Sequence, residues 1–456
     1  MERRAFIALA LATAAGIGAA PAKARHLLPA RRVPGPVAAL ATRWDTDPWS
    51  LGAYSALPPG TSARAREILG ELVLDDRVVL AGEFTSLVAP ATTNGALESG
   101  RQAARRLLDR GSPRRVVVIG AGIAGAGAAD RLRASGVEAI VLEARDRVGG
   151  RIHTDRRWGA PIELGAAWIH GVTGNPVTAL AQASGLEIAP MDWENSVIRD
   201  TMTGRPSSSA EAVDARLSRL TDDLADAEAP AGTSTAAWLR GRGWRPGRLA
   251  DWAQAVEITQ EYGLDPADLG VRAFSEGDWQ RGGDALVGGG YATVVDRLLD
   301  GIDVRLTSPV ASLLSEGDQV IARLESGGAI VADAAVVAVP LALLQANRPD
   351  LGAWPDSARR ALGSLRTGSL EKVVLRFTEQ WWGDLQAIEV VGGGAPGAPA
   401  GSQAALRWTE LVSISELVGF PALVAFSGGS AARTRPSSDA ACVAEAMAAL
   451  RAGYRA

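Results

Sequence analysis

The chain is long enough for two domains and carries no strong charge bias. Its 456 residues include 47 Lys+Arg and 51 Asp+Glu, which gives a formal net charge of −4 at pH 7. This length exceeds a single hydrophobic core, and the lack of a basic excess argues against nucleic-acid binding. The single cysteine, Cys442, excludes an intrachain disulfide and a cysteine-rich metal site, and we expect it to be a buried helix residue.

The first 24 residues resemble an export signal rather than part of the fold. Arg3 and Arg4 precede an apolar run at 5–20, and the sequence AKA at 22–24 offers a small-residue cleavage site. The arginine pair resembles a twin-arginine signal and predicts export to the periplasm or outside the cell. A short N-terminal anchor is the alternative. Because the run is short for a membrane span and no other candidate occurs, we expect no stable membrane insertion.

A strand, a glycine-rich turn and a helix follow one another from residue 115. The apolar run at 116–119 leads into GAGIAG at 120–125, and a second strand at 138–142 ends at Glu143. Such glycines let the backbone turn and approach a pyrophosphate, and they let helix and strand pack closely, while the acidic residue binds a ribose. The pattern predicts a dinucleotide-binding βαβ unit. The residues that it assigns to the cofactor are Gly120, Gly122, Ile123, Ala124, Gly125 and Glu143.

The sequence directly after this unit resembles the FAD-binding signature of the flavin-containing amine oxidase superfamily. Residues 142–151 read LEARDRVGGR. The resemblance implies FAD rather than NAD, with the second glycine pair and the last arginine against the diphosphate. The additional cofactor residues that it implies are Ala144, Arg145, Gly149, Gly150 and Arg151.

A later motif resembles the polyamine and spermine oxidases of this superfamily. Residues 168–171 read WIHG and residues 174–176 read GNP. The resemblance assigns Gly165, Ala166 and Trp168 to the cofactor site and His170 to the substrate side; a structural histidine is the alternative. Amino-acid oxidases carry an arginine near the Trp168 position that pairs with the substrate carboxylate. The absence of this arginine favours amines that lack a carboxylate. In the family, a residue at the Val310 position contacts the adenine.

A single lysine carries a specific expectation. Residues 368–377 read GSLEKVVLRF and precede Trp381 and Trp382. This stretch resembles the family segment whose lysine holds a water beside flavin N5, which implies a catalytic role for Lys372. A lysine buried in a strand is costly to retain without a function. A solvent-facing lysine is the alternative.

The segment with which family members end occurs here near the start of the chain. The stretches 42–55, 80–85 and 91–101 carry this resemblance, and the closing helix at 95–108 runs directly towards the dinucleotide motif. The chain therefore reads as a circular permutation, which is physically reasonable when the old termini lie close together. Defective gene assembly is the alternative.

The resemblance assigns flavin-site residues within this N-terminal block. Tyr54 is expected to form one wall of an aromatic cage, while the opposite wall falls at Thr92, which is not aromatic. Ala53 stands where some relatives carry a flavin-linking cysteine, so non-covalent FAD is expected. Asn94 replaces a common histidine. The cofactor residues implied within the block are Gly82, Glu83, Thr92, Thr93 and Ala96.

These expectations combine into an α/β flavoprotein with a Rossmann-like FAD-binding domain and a mixed-sheet and helical substrate domain. The resemblance implies oxidative deamination of a primary or secondary amine, a polyamine or a monoamine, with O2 as the acceptor. A flavin desaturase or protoporphyrinogen-type oxidase and an inactive flavin-binding homologue are the alternatives. The sequence leaves the amine and the oligomeric state open. The expected divisions are 1–24 signal, 25–110 permuted segment, 111–175 Rossmann motif, 176–282 and 341–456 substrate domain, and 283–340 continuation of the FAD domain.

Overall fold

The computed structural model describes residues 33–277, 281–394, 398–399 and 401–455. The expected export signal at 1–24 lies outside these residues. Two large sheets dominate the described chain, one of six strands and one of seven. Within the same residues, no helix is both long enough and apolar enough to cross a membrane.

The six-stranded sheet contains the dinucleotide unit. Alternate residues of its strand Arg115–Ile119 enter two different apolar clusters, because both faces of the sheet are covered. Strand Ala334–Val337 pairs in parallel with this strand and with Val78–Leu80 of the N-terminal block. The N-terminal block thus contributes directly to the dinucleotide-binding sheet. The strand order is Asp303–Arg305, Glu138–Leu142, Arg115–Ile119, Ala334–Val337, Val78–Leu80 and Val73–Leu74.

The helix Thr93–Arg110 packs closely on Ile123–Ala134, the first helix of the dinucleotide unit. Glycines make this approach possible. A Cβ atom at Gly100 would lie 1.8 Å from the carbonyl oxygen of Ala124, and one at Gly127 would lie 2.8 Å from Leu97 Cδ1. Any side chain at the first position would therefore force the two helices apart.

The seven-stranded sheet joins both ends of the described chain. Strand Ala38–Ala41 pairs with Leu370–Arg376, and the C-terminal helix Asp439–Gly453 packs against both. Cys442 is fully buried in this helix, as expected. The strand order is Ala38–Ala41, Leu370–Arg376, Ala422–Gly428, Glu410–Ser413, Ala387–Val391, Ser196–Asp200 and Arg205–Pro206.

The sequence from 176 to 281 predicts a mainly helical stretch, and this prediction is wrong for residues 187–206. Strands form at Glu187–Pro190, Ser196–Asp200 and Arg205–Pro206, and Ser196–Asp200 pairs in parallel with Ala387–Val391. This partner lies far away in the sequence, so tertiary pairing rather than local propensity decides the conformation. Helices follow at Ser208–Ala225, Thr235–Gly241 and Arg248–Gln254, then a π-helical turn at Ala255–Thr259 and a final turn at Gln260–Tyr262.

The remaining elements are short and connect the large sheets. One three-stranded sheet contains Glu187–Pro190, Asp284–Gly288 and Trp168–His170. A second contains Val310–Glu316, Gln319–Leu324 and Ala329–Ala332. Two-stranded pairs join Ser55–Ala56 to Arg366–Thr367, and Thr154–Asp155 to Ile162–Glu163. The other helices are Arg64–Glu71, Glu83–Thr85, Pro176–Ala183, Val271–Ser275, Ala292–Leu299, Leu341–Gln345, Asp356–Ser364, Gln403–Leu406, Ser415–Val418 and Gly429–Arg433.

Candidate active site

A deep cavity takes its walls from both large sheets. Ile119 and Leu142 come from the six-stranded sheet, and Lys372 and Phe426 come from the seven-stranded sheet. Every residue that the sequence assigned to the site lies on this wall, with Gly125 as the exception. The structure therefore brings together residues from the N-terminal block, the dinucleotide motif and the lysine strand.

Gly125 contributes to packing rather than to the cavity wall. A Cβ atom at this position would lie 1.9 Å from the carbonyl oxygen of Gly120. The missing side chain lets helix Ile123–Ala134 sit close to strand Arg115–Ile119. Gly125 thus fits the packing role expected of a glycine in this motif, and it brings the helix close to the cofactor site.

The start of helix Ile123–Ala134 forms a cradle for a pyrophosphate. Gly122 is the N-cap residue, and the first-turn N–H groups together with the helix dipole favour an anion there. A Cβ atom at Gly150 would lie 3.5 Å from Gly122 Cα, so these two glycines face each other closely. Gly120 and Gly149 have φ of 102° and 97°, which favour glycine. A Cβ atom at Gly120 would lie 2.8 Å from the carbonyl oxygen of Ala338, and one at Gly149 would lie 2.5 Å from that of Ile152, so side chains at these positions would distort the cradle.

Glu143 ends the second strand with its carboxylate held in place. It accepts hydrogen bonds from the backbone N–H groups of Ala121 at 2.7 Å and Arg145 at 2.8 Å. Carboxylate oxygens accept more than one hydrogen bond, so both remain able to accept from ribose hydroxyls. The Arg145 guanidinium forms two hydrogen bonds with Asp47 of the N-terminal block, at 2.6 and 2.8 Å. This arginine therefore ties the block to the cofactor loop.

Glu83 lies at the centre of a buried polar network. It accepts from Ser55 Oγ at 2.6 Å and from Arg151 at 3.0 Å. Arg66 donates to the same Ser55 oxygen at 2.6 Å and pairs with both oxygens of Glu276, at 2.6 and 3.1 Å. Burial raises the pKa of Glu276, and Arg66 opposes this shift. No local motif indicates Arg66 and Glu276, which are 210 residues apart in the sequence.

The proposed aromatic wall and its neighbours are anchored by hydrogen bonds. The Tyr54 hydroxyl donates to the backbone oxygen of Gln260 at 2.5 Å. The Thr92 hydroxyl caps helix Thr93–Arg110, and the Thr93 hydroxyl hydrogen-bonds Tyr291 at 2.8 Å. The Thr92 oxygen is thus engaged by the helix N-terminus.

His170 lies on the cavity wall at the end of strand Trp168–His170. Its Nδ1 atom is 3.2 Å from Asp284 Oδ1, and its ring stacks on Trp168 with centroids 6.5 Å apart. The carboxylate orients the imidazole. Both interactions limit the rotation of the ring.

Lys372 is buried in the centre of strand Leu370–Arg376. Its ammonium donates to the backbone oxygens of Glu163, at 3.1 Å, and Gly165. Burial lowers its pKa to about 8, and the charge of Glu163 opposes this shift. Lys23 is the only other lysine in a chain with 47 Lys+Arg, so arginine supplies almost every other cation. Arginine cannot lose its proton, whereas a buried lysine can shift its pKa towards neutrality.

Comparison with known proteins decides the family. The model of the family described as flavin containing amine oxidoreductase matches residues 22–108 and 123–455. The chain belongs to this family. The α/β flavoprotein fold, the FAD cofactor and the amine oxidoreductase class predicted from the sequence are therefore confirmed.

Individual relatives of this amine oxidoreductase carry polyamine oxidase names. Polyamine oxidase 3 of Oryza sativa subsp. japonica is 29% identical over 339 residues, 69% of this chain and 67% of that protein. Probable polyamine oxidase 4 of Arabidopsis thaliana is 29% identical over 349 residues, 70% and 67% of the two chains. The structure of wild-type putrescine oxidase bound to putrescine is similar in fold, with a TM-score of 0.53 and 21% identity over 75% of this chain and 82% of that one.

The cavity of this amine oxidoreductase has an acidic side that no sequence motif predicted. Four neighbouring strands carry a row of paired residues, in the order Lys372, Phe426, Glu410 and Glu389. Directly paired residues point to the same side, so these four side chains share one face of the sheet. Glu410 lies on the cavity wall, two strand spacings or roughly 10 Å from Lys372. A glutamate inside an apolar strand, as in AIEVV at 387–391, is the signal that would have indicated this side.

Gln260 adds an unsatisfied oxygen to the same cavity. The residue is 5% exposed, and its Nε2 atom donates to Thr409 Oγ1 at 2.9 Å. Within the described part of the chain, no group donates to its Oε1 atom. A buried acceptor without a donor is costly, so this oxygen is suited to a ligand that carries N–H groups.

Proposed function

We propose that the protein catalyses the oxidative deamination of a primary or secondary amine, with O2 as the electron acceptor and FAD bound non-covalently. The observation that carries the proposal is the buried Lys372 on the wall of a cavity whose other side is a pyrophosphate cradle. When bound, FAD would accept a hydride from the amine α-carbon and pass two electrons to O2, which gives H2O2 while the imine hydrolyses.

The protein residues position the reactants and keep water out. Tyr54 and Trp168 provide aromatic surface on the cavity wall, and Phe426 packs beside the lysine. An amine that enters this partly apolar space is desolvated, which lowers its pKa towards the neutral form that can release a hydride. No side-chain base is needed for this step. Two of the three N–H bonds of Lys372 go to backbone oxygens, which leaves the third to hold a water.

Anaerobic reduction of the flavin tests the proposal directly. We would add polyamines, aliphatic and aromatic monoamines, and amino acids to the FAD-loaded protein and follow the flavin absorption band. Amines should bleach the band, and H2O2 should form when air is readmitted. A band that no amine bleaches would contradict the proposal and favour the desaturase-type or inactive alternatives.

The substrate side favours an amine with a second positive charge. Glu410 and Gln260, whose side-chain oxygen is unsatisfied, both lie on the cavity wall, and Glu410 is two strands away from Lys372. A carboxylate and an amide oxygen are good acceptors for an ammonium group, and charge-assisted hydrogen bonds are the strong ones. We therefore extend the proposal to a diamine or polyamine whose distal ammonium contacts Glu410 and Gln260.

We expect Glu410→Gln to weaken the binding of 1,4-diaminobutane by roughly 10- to 100-fold, the usual range for losing a charged hydrogen bond. Binding to the oxidised enzyme, followed by perturbation of the flavin spectrum, measures this effect without turnover. The binding of 1-aminobutane should change little, because it lacks the second ammonium. Glu416→Gln, which removes an exposed carboxylate from a neighbouring helix, is the matched control. Equal losses for both ligands would contradict the assignment.

We also propose that the chain is a circular permutation of the usual family order. The family model matches in two segments, whereas the linear matches to the relatives above cover 69–75% of the chain. Val33 packs in the same apolar cluster as Leu450 and Tyr454 of the C-terminal end. Asp45 of the N-terminal block forms a buried ion pair with Arg435 at 2.7 Å. These contacts bring the N-terminal block next to the C-terminal end of the chain. In the usual family order, the C-terminal end would continue directly into this block.

A reordered chain tests the permutation. We would move residues 33–110 behind residue 455 through a short flexible linker. The reordered protein should bind FAD. Its free energy of unfolding should stay within about 2 kcal/mol of that of the parent, because all contacts are retained and only the loop closure changes. Failure to bind FAD with two different linker lengths, while the parent binds it, would contradict the proposal.

A further inference from the structure

A second, much smaller cavity lies beside Lys372. Its volume is about 30 Å³, and its walls are mainly apolar residues such as Leu286, Val412, Leu417 and Val424, although Glu163 also lines it. The walls that it shares with the main cavity are Ala167, Trp168, Lys372 and Phe426. Lys372 therefore borders both spaces.

The size of the small cavity restricts its occupant. A water-sized molecule needs roughly 10–15 Å³ on this measure, so there is room for a molecule of about two heavy atoms. An amine substrate with a carbon chain is too large. Apolar cavities of proteins stay dry and bind apolar gases, so the apolar walls favour a small neutral molecule over water.

We propose that this cavity binds O2 and delivers it to the reduced flavin past Lys372. The inference rests on the proposed function, which places the flavin at the lysine side of the main cavity. Reduced flavin supplies two electrons and one proton, and solvent supplies the second proton, so that O2 becomes H2O2 and FAD is regenerated. Oxygen becomes negatively charged as it takes up electrons. The ammonium between the two cavities is positioned to stabilise that charge.

The walls of the small cavity come from three parts of the fold. Val412 and Val424 come from the seven-stranded sheet, Leu286 comes from strand Asp284–Gly288, and Leu417 comes from helix Ser415–Val418. Oxygen held in this cavity would reach the lysine without occupying the space of an amine in the main cavity. Substrate and O2 would then meet the same reaction centre from separate cavities.

Filling the small cavity should slow reoxidation selectively. Val424→Leu and Val412→Leu each add a methylene to its wall. We expect each to lower the second-order rate constant with O2 about tenfold, because the added carbon occupies much of a cavity with room for only about two heavy atoms. The FAD-loaded enzyme would be photoreduced anaerobically without any amine and mixed with oxygenated buffer. The rate of flavin reduction by amine should stay within about twofold of wild type, because the main cavity is unchanged.

Val390→Leu is the matched control. This residue is also fully buried in the seven-stranded sheet, but it belongs to the apolar cluster on the other face and does not line the small cavity. Reoxidation of Val424→Leu and Val412→Leu at the wild-type rate, or slowed only as much as in Val390→Leu, would overturn the proposal. Because photoreduction requires no substrate, the outcome is distinct from a failure of the amine panel.

Discussion

Replacement of Lys372 by methionine is expected to lower the rate constant for flavin reoxidation by O2 about 100- to 1000-fold, the range found when a preorganised charge stabiliser is removed. Methionine has a similar length but no charge, and the site is already buried. The variant should therefore retain FAD. Anaerobic photoreduction followed by mixing with O2 isolates this step from amine oxidation.

The pH dependence of the wild-type enzyme provides the companion measurement. Burial lowers the pKa of Lys372 from 10.5 to about 8. The ammonium is present below pH 8 and is lost above it, so reoxidation should slow as pH rises through about 8. Lys372→Met should show no such fall.

The same pKa shift predicts the sign of a stability change. Between pH 8 and 10.5 the unfolded chain binds the Lys372 proton and the folded chain does not. The free energy of unfolding of the wild type should therefore rise with pH in this window, relative to Lys372→Met. Reoxidation of the reduced Lys372→Met variant at the wild-type rate would contradict the role assigned to Lys372.

Substitution of Gly100 by alanine is expected to destabilise the protein by about 3 kcal/mol or more and to cause loss of FAD, because the contact is with backbone and cannot relax cheaply. A Cβ atom there would lie 1.8 Å from the carbonyl oxygen of Ala124. Helix Ile123–Ala134 would have to move, and with it the pyrophosphate cradle at Gly122. Thermal unfolding and the flavin content after gel filtration measure the two effects.

Gly363→Ala is the matched control for this substitution. Gly363 lies in helix Asp356–Ser364, and a Cβ atom there would meet no atom within 4 Å. Alanine should stabilise this helix by roughly 0.5–1 kcal/mol, because it restricts the unfolded chain. Equal stabilities for the two variants would mean that the close contact between the N-terminal helix and the dinucleotide helix is absent in solution.

Local motifs accounted for the cofactor side of the site. The GAGIAG turn at 120–125, the acidic end of the second strand at Glu143 and the LEARDRVGGR run each depend on backbone geometry within a few residues. Glycine requirements and strand–turn–helix order are local properties, so they are readable without knowledge of the fold. The cofactor and the enzyme class followed from these motifs and the family resemblance that they carry.

Contacts between distant segments account for what was missed. The pairing of Arg66 with Glu276 and the alignment of Glu410 with Lys372 depend on how helices and strands meet across the molecule. Strand Ser196–Asp200 lies in a stretch predicted to be mainly helical. The strand could not be recognised locally, because its partner lies almost 200 residues away. Local sequence does not specify the register of such pairs.

By itself the sequence determined that this chain binds a dinucleotide through a glycine-rich turn and that a lysine stands within an apolar strand. Both are properties of short segments whose residue types constrain the backbone directly. Only the tertiary structure decided that Lys372 lies between a large cavity and a small apolar one, and that Glu410 and Gln260 lie on the wall of the large cavity. The physical reason is that a cavity is the space left between packed elements, and its shape depends on every long-range contact that positions them.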